Sequence, residues 1–224
     1  RPFFNPLIVH VSSIEDLYAI VESLPEKAKL LAEVFWPGPI TLVLKKKNTI
    51  PDLITAGKDT VAVRIPNHPM TLELLKQLDF PLAAPSANPF NRISPTKAQH
   101  VEGYFKNKIK MILDGGPCKN GIESTIIGFE DETPIIYRLG STSIEDIKSV
   151  VGNIKIKNKK EKNVDAPGML MRHYAPKTKT VLSENISETI KRYRYKKIGV
   201  LVFNKKVIDK AIFSEIILSK KSNL

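Results

Sequence analysis

The 224-residue chain carries 35 Lys and Arg against 23 Asp and Glu, a formal charge of +12, with 42% hydrophobic and 26% charged residues and a single cysteine, Cys118. That balance excludes a disordered chain, and no apolar run approaches the ~20 residues of a membrane-spanning helix. One cysteine excludes an intrachain disulfide and a cysteine-based zinc site, which fits a reducing, cytoplasmic setting. The charge is unevenly placed. Residues 1–150 carry 17 basic and 17 acidic side chains, whereas residues 151–224 carry 18 and 6, so the whole excess lies in the last third. A first region with no net charge must therefore be read without bulk electrostatics as a guide.

The chain opens Arg1-Pro2 with no Met, which reads as a processed or partial sequence. Leu7 to His10 reads as a strand that carries a histidine. Ser12 followed by Glu15 has capping-box spacing, and Leu17, Ile20, Val21 and Leu24 recur at helical spacing, predicting a helix over 13–23. A second helix, 26–35, is stopped by Trp36-Pro37-Gly38-Pro39, and Ile40 to Leu44 reads as a buried strand. Strands at 61–65 and 81–84 flank a helix at 69–78. Ser94-Pro95 is the pattern of an N-cap followed by Pro at the first helical position.

Strands follow near 109–113, 124–129 and 134–138, then a helix capped by Ser143. Helices and strands mix without strict alternation, which predicts an α/β open sheet with some antiparallel pairing. Residues 154–164, rich in Lys and Asn, read as a linker. Beyond it a strand at 180–182, a helix over 183–195 and a strand at 198–203 suggest the first βαβ of a second domain, with about 45 residues, too few for an independent α/β domain.

Walker A, Rossmann glycine, nucleophile-elbow and HExxH patterns are absent, so chemistry has to come from scattered polar residues. Arg1 and Asn5 precede a strand bearing His10; an Arg fork suits phosphate oxygens, while a His among Leu and Val also fits a structural role. Alternation puts Thr60, Ala62 and Arg64 on one strand face, where Arg64 must snorkel, pair, or face a cleft. Ala84-Pro85-Ser86-Ala87-Asn88 offers small residues and two short hydrogen-bonding side chains, suited to a ligand or to an ordinary turn. Asp114-Gly115-Gly116 through Gly121-Ile122-Glu123-Ser124-Thr125 is either a ligand-wrapping loop or a hairpin connection. Pro167-Gly168-Met169 through Arg172-His173-Tyr174-Ala175-Pro176 is too apolar and aromatic for a solvated linker unless it docks.

These segments together with Trp36-Pro37-Gly38-Pro39-x-Thr41, Val61-Ala62-Val63-Arg64-Ile65-Pro66, Gly121-x-Glu123-Ser124-Thr125-Ile126 and Tyr137-Arg138-x-Gly140-Ser141 resemble the YrdC-like threonylcarbamoyl-adenylate synthases in their two-domain form. The resemblance implies a YrdC-like twisted open mixed sheet with helices around a large cleft over 1–153, a linker and lid over 154–178, and the start of a small Rossmann-like domain over 179–224. It implies an enzyme, a nucleotidyltransferase that makes threonylcarbamoyl-AMP and pyrophosphate from L-threonine, bicarbonate or CO2, and ATP. The product passes to a downstream threonylcarbamoyl-transferase complex for the modification of adenosine 37 in tRNA.

By the same resemblance, Arg1, Asn5, Thr60, Ser86, Asn88, Arg138 and Tyr174 contact ATP, and His10, Arg64, Ala84 and Ser124 hold threonine. Arg1, Ser86 and Asn88 are the catalytic candidates, Mg2+ comes with ATP, and no metal ligand is assigned to the protein. The alternative is a non-catalytic module of the same fold that binds double-stranded RNA or tRNA, with Lys191 to Lys197 as its basic, tyrosine-interleaved contact. The family's Lys-x-Arg lysine and its Pro-Thr-x-x-x-Tyr-Gly segment would precede Arg1, so the 224-residue chain is expected to be inactive alone. Pyrophosphate release dependent on threonine and bicarbonate, measured on this chain and on an N-terminally extended one, checks this: release is expected from the extended chain only.

Overall fold

A computed structural model describes residues 3–157 and 175–221. The chain divides into two compact units, Arg1–Lys177 and Thr178–Leu224. The first contains β1 (Ile8–His10), α1 (Ile14–Leu17), α2 (Glu26–Phe35), β2 (Ile40–Lys45), α3 (Asp52–Thr55), β3 (Thr60–Arg64) and α4 (Pro69–Lys76). It continues with β4 (Leu82–Ala84), α5 (Ala98–Phe105), β5 (Thr125–Glu130), β6 (Thr133–Arg138), α6 (Ile144–Val151) and β7 (Lys155–Ile156).

Among the described residues the strands of this unit form one sheet in the order β4-β1-β3-β2-β5-β6-β7. Pairs β1/β3, β2/β5 and β6/β7 are parallel, while β1/β4, β2/β3 and β5/β6 are antiparallel. This is the expected mixed open sheet.

The two faces of the sheet are unequal. Alternation sends Val9, Leu42, Leu44, Val61, Val63, Ile127 and Ile136 to one side, where they meet Leu17, Ala28, Leu31, Ala32, Ile147 and Val151 from α1, α2 and α6 in one large core. The opposite face carries a small apolar cluster of Val43, Ala62 and Ile126, flanked by Ile8 and Tyr137. His10 and Arg64 share that sparse face, two residues along their strands from Ile8 and Ala62.

Several expectations are corrected. The capping box is Ser13 with Asp16, because the Asp16 carboxylate accepts the backbone N–H of both Ser12 and Ser13 while Ser13 Oγ accepts that of Asp16. The helix ends at Leu17, since the next residues turn to bridge the sheet through Val21 and Lys46. Ser94-Pro95 does not start a helix: α5 begins at Ala98 after Lys97, and the Ser94 hydroxyl donates to Glu123 Oε1 instead. Residues 109–113 form no strand; they find no ladder partner, and Met111 and Leu113 are exposed. Lys155 and Ile156, read as linker, extend the sheet as β7 beside Ile135 and Ile136.

The second unit contains α7 (Ile186–Tyr193), β8 (Ile198–Val202) and β9 (Ile212–Ile217), with Ile190, Val200 and Val202 as its core. Residues 180–182 are irregular, and Leu182 is fully exposed. The parallel pair of this unit is β8 with β9, rather than a strand before α7 with β8.

Leu31 is fully buried on α2 within the large core of the first unit. Leu31→Ala is expected to cost about 3 kcal/mol in chemical denaturation, and Leu53→Ala, at a largely exposed position, under about 0.5 kcal/mol.

Candidate functional site

Strand register places the candidate residues. In the parallel pair β1/β3, His10 stands beside Arg64 and Ile8 beside Ala62; in the antiparallel pair β1/β4, His10 stands beside Leu82 and Ile8 beside Ala84. The sparse face thus has two ends. His10 and Arg64 lie at one. Thr60 and the residues leading into β1, including Asn5, lie at the other, roughly 13 Å away at the ~3.3 Å rise per strand residue. Ala62 and Ala84 beside Ile8 leave a low floor between the ends.

The Arg64 end is built by three turns. Trp36-Pro37 is a cis peptide, and Trp36 Nε1 donates to Ile40 O at 2.8 Å. Gly38 N donates to Ile65 O, and Gly38 O accepts Arg64 Nε at 2.8 Å. A Cβ at Gly38 would stand 2.0 Å from Phe35 O, so only glycine fits where this carbonyl is presented. Ser124, buried at the start of β5, shares a 2.8 Å hydrogen bond with Thr41 Oγ1. Arg138 Nη2 donates to Ser124 O at 2.8 Å and to Ser124 Oγ at 3.0 Å. The Thr125 hydroxyl donates to Thr142 O and accepts from Gly140 N and Thr142 N, fixing the turn after β6. A Cβ at Gly140 would lie 2.4 Å from Glu123 O.

Electrostatics draws these groups together. Burial lowers the Arg64 pKa, and the nearby Arg138 charge lowers it further, so two guanidiniums share one region. Arg64 forms no ion pair among the described residues. Burial, and then Arg64, pull the His10 pKa from 6.5 to about 4. His10 Nδ1 lies 3.3 Å from Leu82 O, an acceptor, so the neutral ring carries its proton on Nδ1 and keeps Nε2 as an acceptor. Such an end can hold an anion between guanidiniums and take a donor hydrogen at the imidazole.

The other end is more local. Asn88 Nδ2 donates to Pro89 O at 3.1 Å and Arg92 O at 3.0 Å, closing a turn, and Asn88 N donates to Ser86 O. Asn5 is 4% exposed, and neither its Nδ2 nor its Oδ1 has a partner, an unusual state for a buried amide and one that a bound polar group would relieve. The edge-to-face pair Phe4–Phe90, with centroids 6.3 Å apart, brings the Asn5 segment to the Asn88 turn. Ala175 N donates to Asn91 O, so the end of the Pro167–Pro176 segment reaches the same turn.

The structure therefore brings His10, Arg64, Ser124 and Arg138 together at one end, and Asn5 and Thr60 at the other, with Ala84 beside Ile8 between them. The loop after β4 carries Ser86 and Asn88. Arg138, expected with ATP, stands with the threonine candidates, and Ala84, expected with threonine, stands midway along the face beside Ile8. Arg1 and Tyr174 lie outside the described residues. Sequence reasoning quoted Gly38, Thr41 and Glu123 inside motifs without giving them roles; a turn carbonyl that holds an arginine leaves no signature in residue type.

Two guanidiniums and a neutral imidazole thus stand at one end of a face on a mixed α/β sheet, floored by alanines and walled by glycine turns. Residues 1–140 match the Sua5/YciO/YrdC family, described as "Telomere recombination", and residues 142–223 match the family described as "Threonylcarbamoyl-AMP synthase, C-terminal domain". The chain belongs to the Sua5/YciO/YrdC family.

It is 43% identical over 196 residues to a threonylcarbamoyl-AMP synthase of Pyrococcus abyssi, covering 86% of this chain and 58% of that one. With the threonylcarbamoyl-AMP synthase of Bacillus subtilis it shares 40% identity over 217 residues, 92% of this chain and 62% of the relative. The crystal structure of P. abyssi Sua5 complexed with L-threonine superposes with a TM-score of 0.85 at 38% identity, over 96% of this chain and 67% of that one. The chain thus spans about three fifths of the length of these two relatives.

Because the His10 pKa is lower in the folded chain than the ordinary 6.5, its contribution to stability is complete above pH 6.5 and is lost as pH falls from 6.5 to about 4. NMR titration of the His10 ring should show a midpoint near 4, and a midpoint near 6.5 would contradict its burial beside Arg64.

Proposed function

We propose that this chain handles ATP and threonine as part of a threonylcarbamoyl-AMP synthase, joining L-threonine, bicarbonate or CO2, and ATP into threonylcarbamoyl-AMP with release of pyrophosphate. The observation that carries the reading is the Arg64–Arg138 neighbourhood beside neutral His10 and the hydroxyl of Ser124. A small amino acid presents one carboxylate and several donor hydrogens. Arg64, its Nε fixed by Gly38 O, directs its terminal nitrogens as a fork for that carboxylate, and His10 Nε2 accepts from the ammonium or the hydroxyl.

The nucleotide then lies toward Asn5, Thr60, Ser86 and Asn88, with Ala62 and Ala84 leaving room between the ends. Once the threonine ammonium has given up a proton, the amine adds to CO2 with loss of a second proton to solvent, a carbamate oxygen attacks the α-phosphorus, and the P–O bond to pyrophosphate breaks. Here positioning and charge neutralisation do most of the catalysis. Mg2+ would arrive on the triphosphate and offset charge on the leaving pyrophosphate.

Tyr174 would close over the nucleotide from the Pro167–Pro176 segment, whose end bonds to Asn91. The product is a labile mixed anhydride and would be passed to a transferase acting on tRNA. A tRNA contact on the second unit is supported by Arg194 over Tyr195 and Lys197 over Phe213, with both rings largely exposed. No helix among the described residues is long and apolar enough to cross a membrane, and the reading places the protein in the cytoplasm.

Calorimetric titration of L-threonine tests the assignment. Arg64→Ala is expected to weaken binding about a hundredfold and Arg64→Lys, which keeps the charge but loses the fork, about tenfold. Unchanged affinity in Arg64→Ala would overturn the threonine assignment.

A further inference from the structure

Glu123 sits one residue before Ser124, which Arg138 grips, yet no ion pair joins Glu123 to Arg138 or Arg64. It is held elsewhere. Ser94 Oγ donates to Glu123 Oε1 at 2.6 Å, within the short range of O–H···O hydrogen bonds. The main chain of Glu123 is equally constrained: its carbonyl accepts from both Ser141 N and Ser141 Oγ, against the Gly140 turn that tolerates no side chain. A backbone fixed from one side thus reaches out with its carboxylate to a residue of the Asn88 turn. In that turn Ser94 Oγ also lies 3.5 Å from Asn88 Oδ1, and the Asn88 amide closes the loop through Pro89 O and Arg92 O.

We propose that Glu123 is a positioning residue: by holding Ser94 it pins the loop carrying Ser86 and Asn88 to the strand start carrying Ser124. One tether thereby sets the distance between the two ends of the site and keeps the carboxylate off the arginines. The inference rests on the reading of Ser86 and Asn88 as nucleotide contacts.

The test is calorimetric binding of ATP and of L-threonine to this chain, with hydrogen exchange across residues 86–94 as an independent readout of the loop. Glu123→Ala and Ser94→Ala are each expected to weaken ATP binding about tenfold, and the double variant to be no weaker than either single one by more than about twofold. Glu123→Gln, whose amide oxygen still accepts from Ser94, should remain within about threefold of the wild type. L-threonine affinity should change less than about twofold, and exchange over 86–94 should rise in both Ala variants but not in Glu123→Gln.

Additive losses, a Gln variant as weak as Ala, an equal loss for threonine and ATP, or unaltered ATP affinity together with unaltered exchange over 86–94 would each overturn the tether. Faster exchange with unaltered ATP affinity overturns the nucleotide role of the loop while leaving the contact itself intact. A wild-type chain that binds threonine but no ATP overturns the functional reading and this inference with it.

Discussion

Everything at the site depends on placing a guanidinium, Arg64, on the sparse face of a sheet beside a second one, Arg138. Removing charge from water is costly, and bringing like charges together adds to that cost, which is why both effects lower the Arg64 pKa. The fold sustains the arrangement because each guanidinium is gripped by a backbone oxygen: Gly38 O for Arg64 and Ser124 O for Arg138. Those oxygens are available only because turns present them, and the turns in turn require glycine at 38 and 140. An anionic ligand would complete the charge balance that the described residues leave open at Arg64.

The same constraint organises the sheet. One face is packed by α1, α2 and α6 into a core of large aliphatic side chains, and this supplies the rigidity. The other face is given over to small residues and to the polar groups of β1, β3 and the start of β5, with an apolar cluster centred on only Val43, Ala62 and Ile126. Mixed pairing matters here. β3 runs parallel to β1 and antiparallel to β2, so residues far apart in sequence, at 10, 41, 64, 124 and 138, meet at one end. Neutral His10 follows from the same packing: burial next to a cation removes its proton and turns it into a hydrogen-bond acceptor.

Much of this was legible in residue order. Alternation in Thr60 to Arg64 correctly put Arg64 opposite Val61 and Val63, and the helix at 26–35, the strands around 40–44, 124–129 and 134–138 and the Ser143 cap all stand close to their expected places. Local rules failed where a side chain had a distant partner. Ser94 has the look of a helix cap, but its hydroxyl serves Glu123, 29 residues away. Residues 109–113 have strand composition, but a strand exists only when a neighbour supplies its ladder. Lys155 and Ile156 look like linker and become sheet because Ile135 and Ile136 offer an edge.

By itself the sequence determined the family, the mixed α/β class, the neutral charge of the first region and the identities of the polar residues at strand ends. These depend on composition, short-range periodicity and motifs, all of which are local in the chain. Only the tertiary structure decided how those residues are grouped: Arg138 with Arg64 and Ser124, Ala84 with Ile8 and Ala62 between the two ends, and Glu123 tied to Ser94 rather than to an arginine. Grouping of that kind is set by strand register and by carbonyls that turns expose. Neither is written in residue type, because each depends on which distant segment lies alongside.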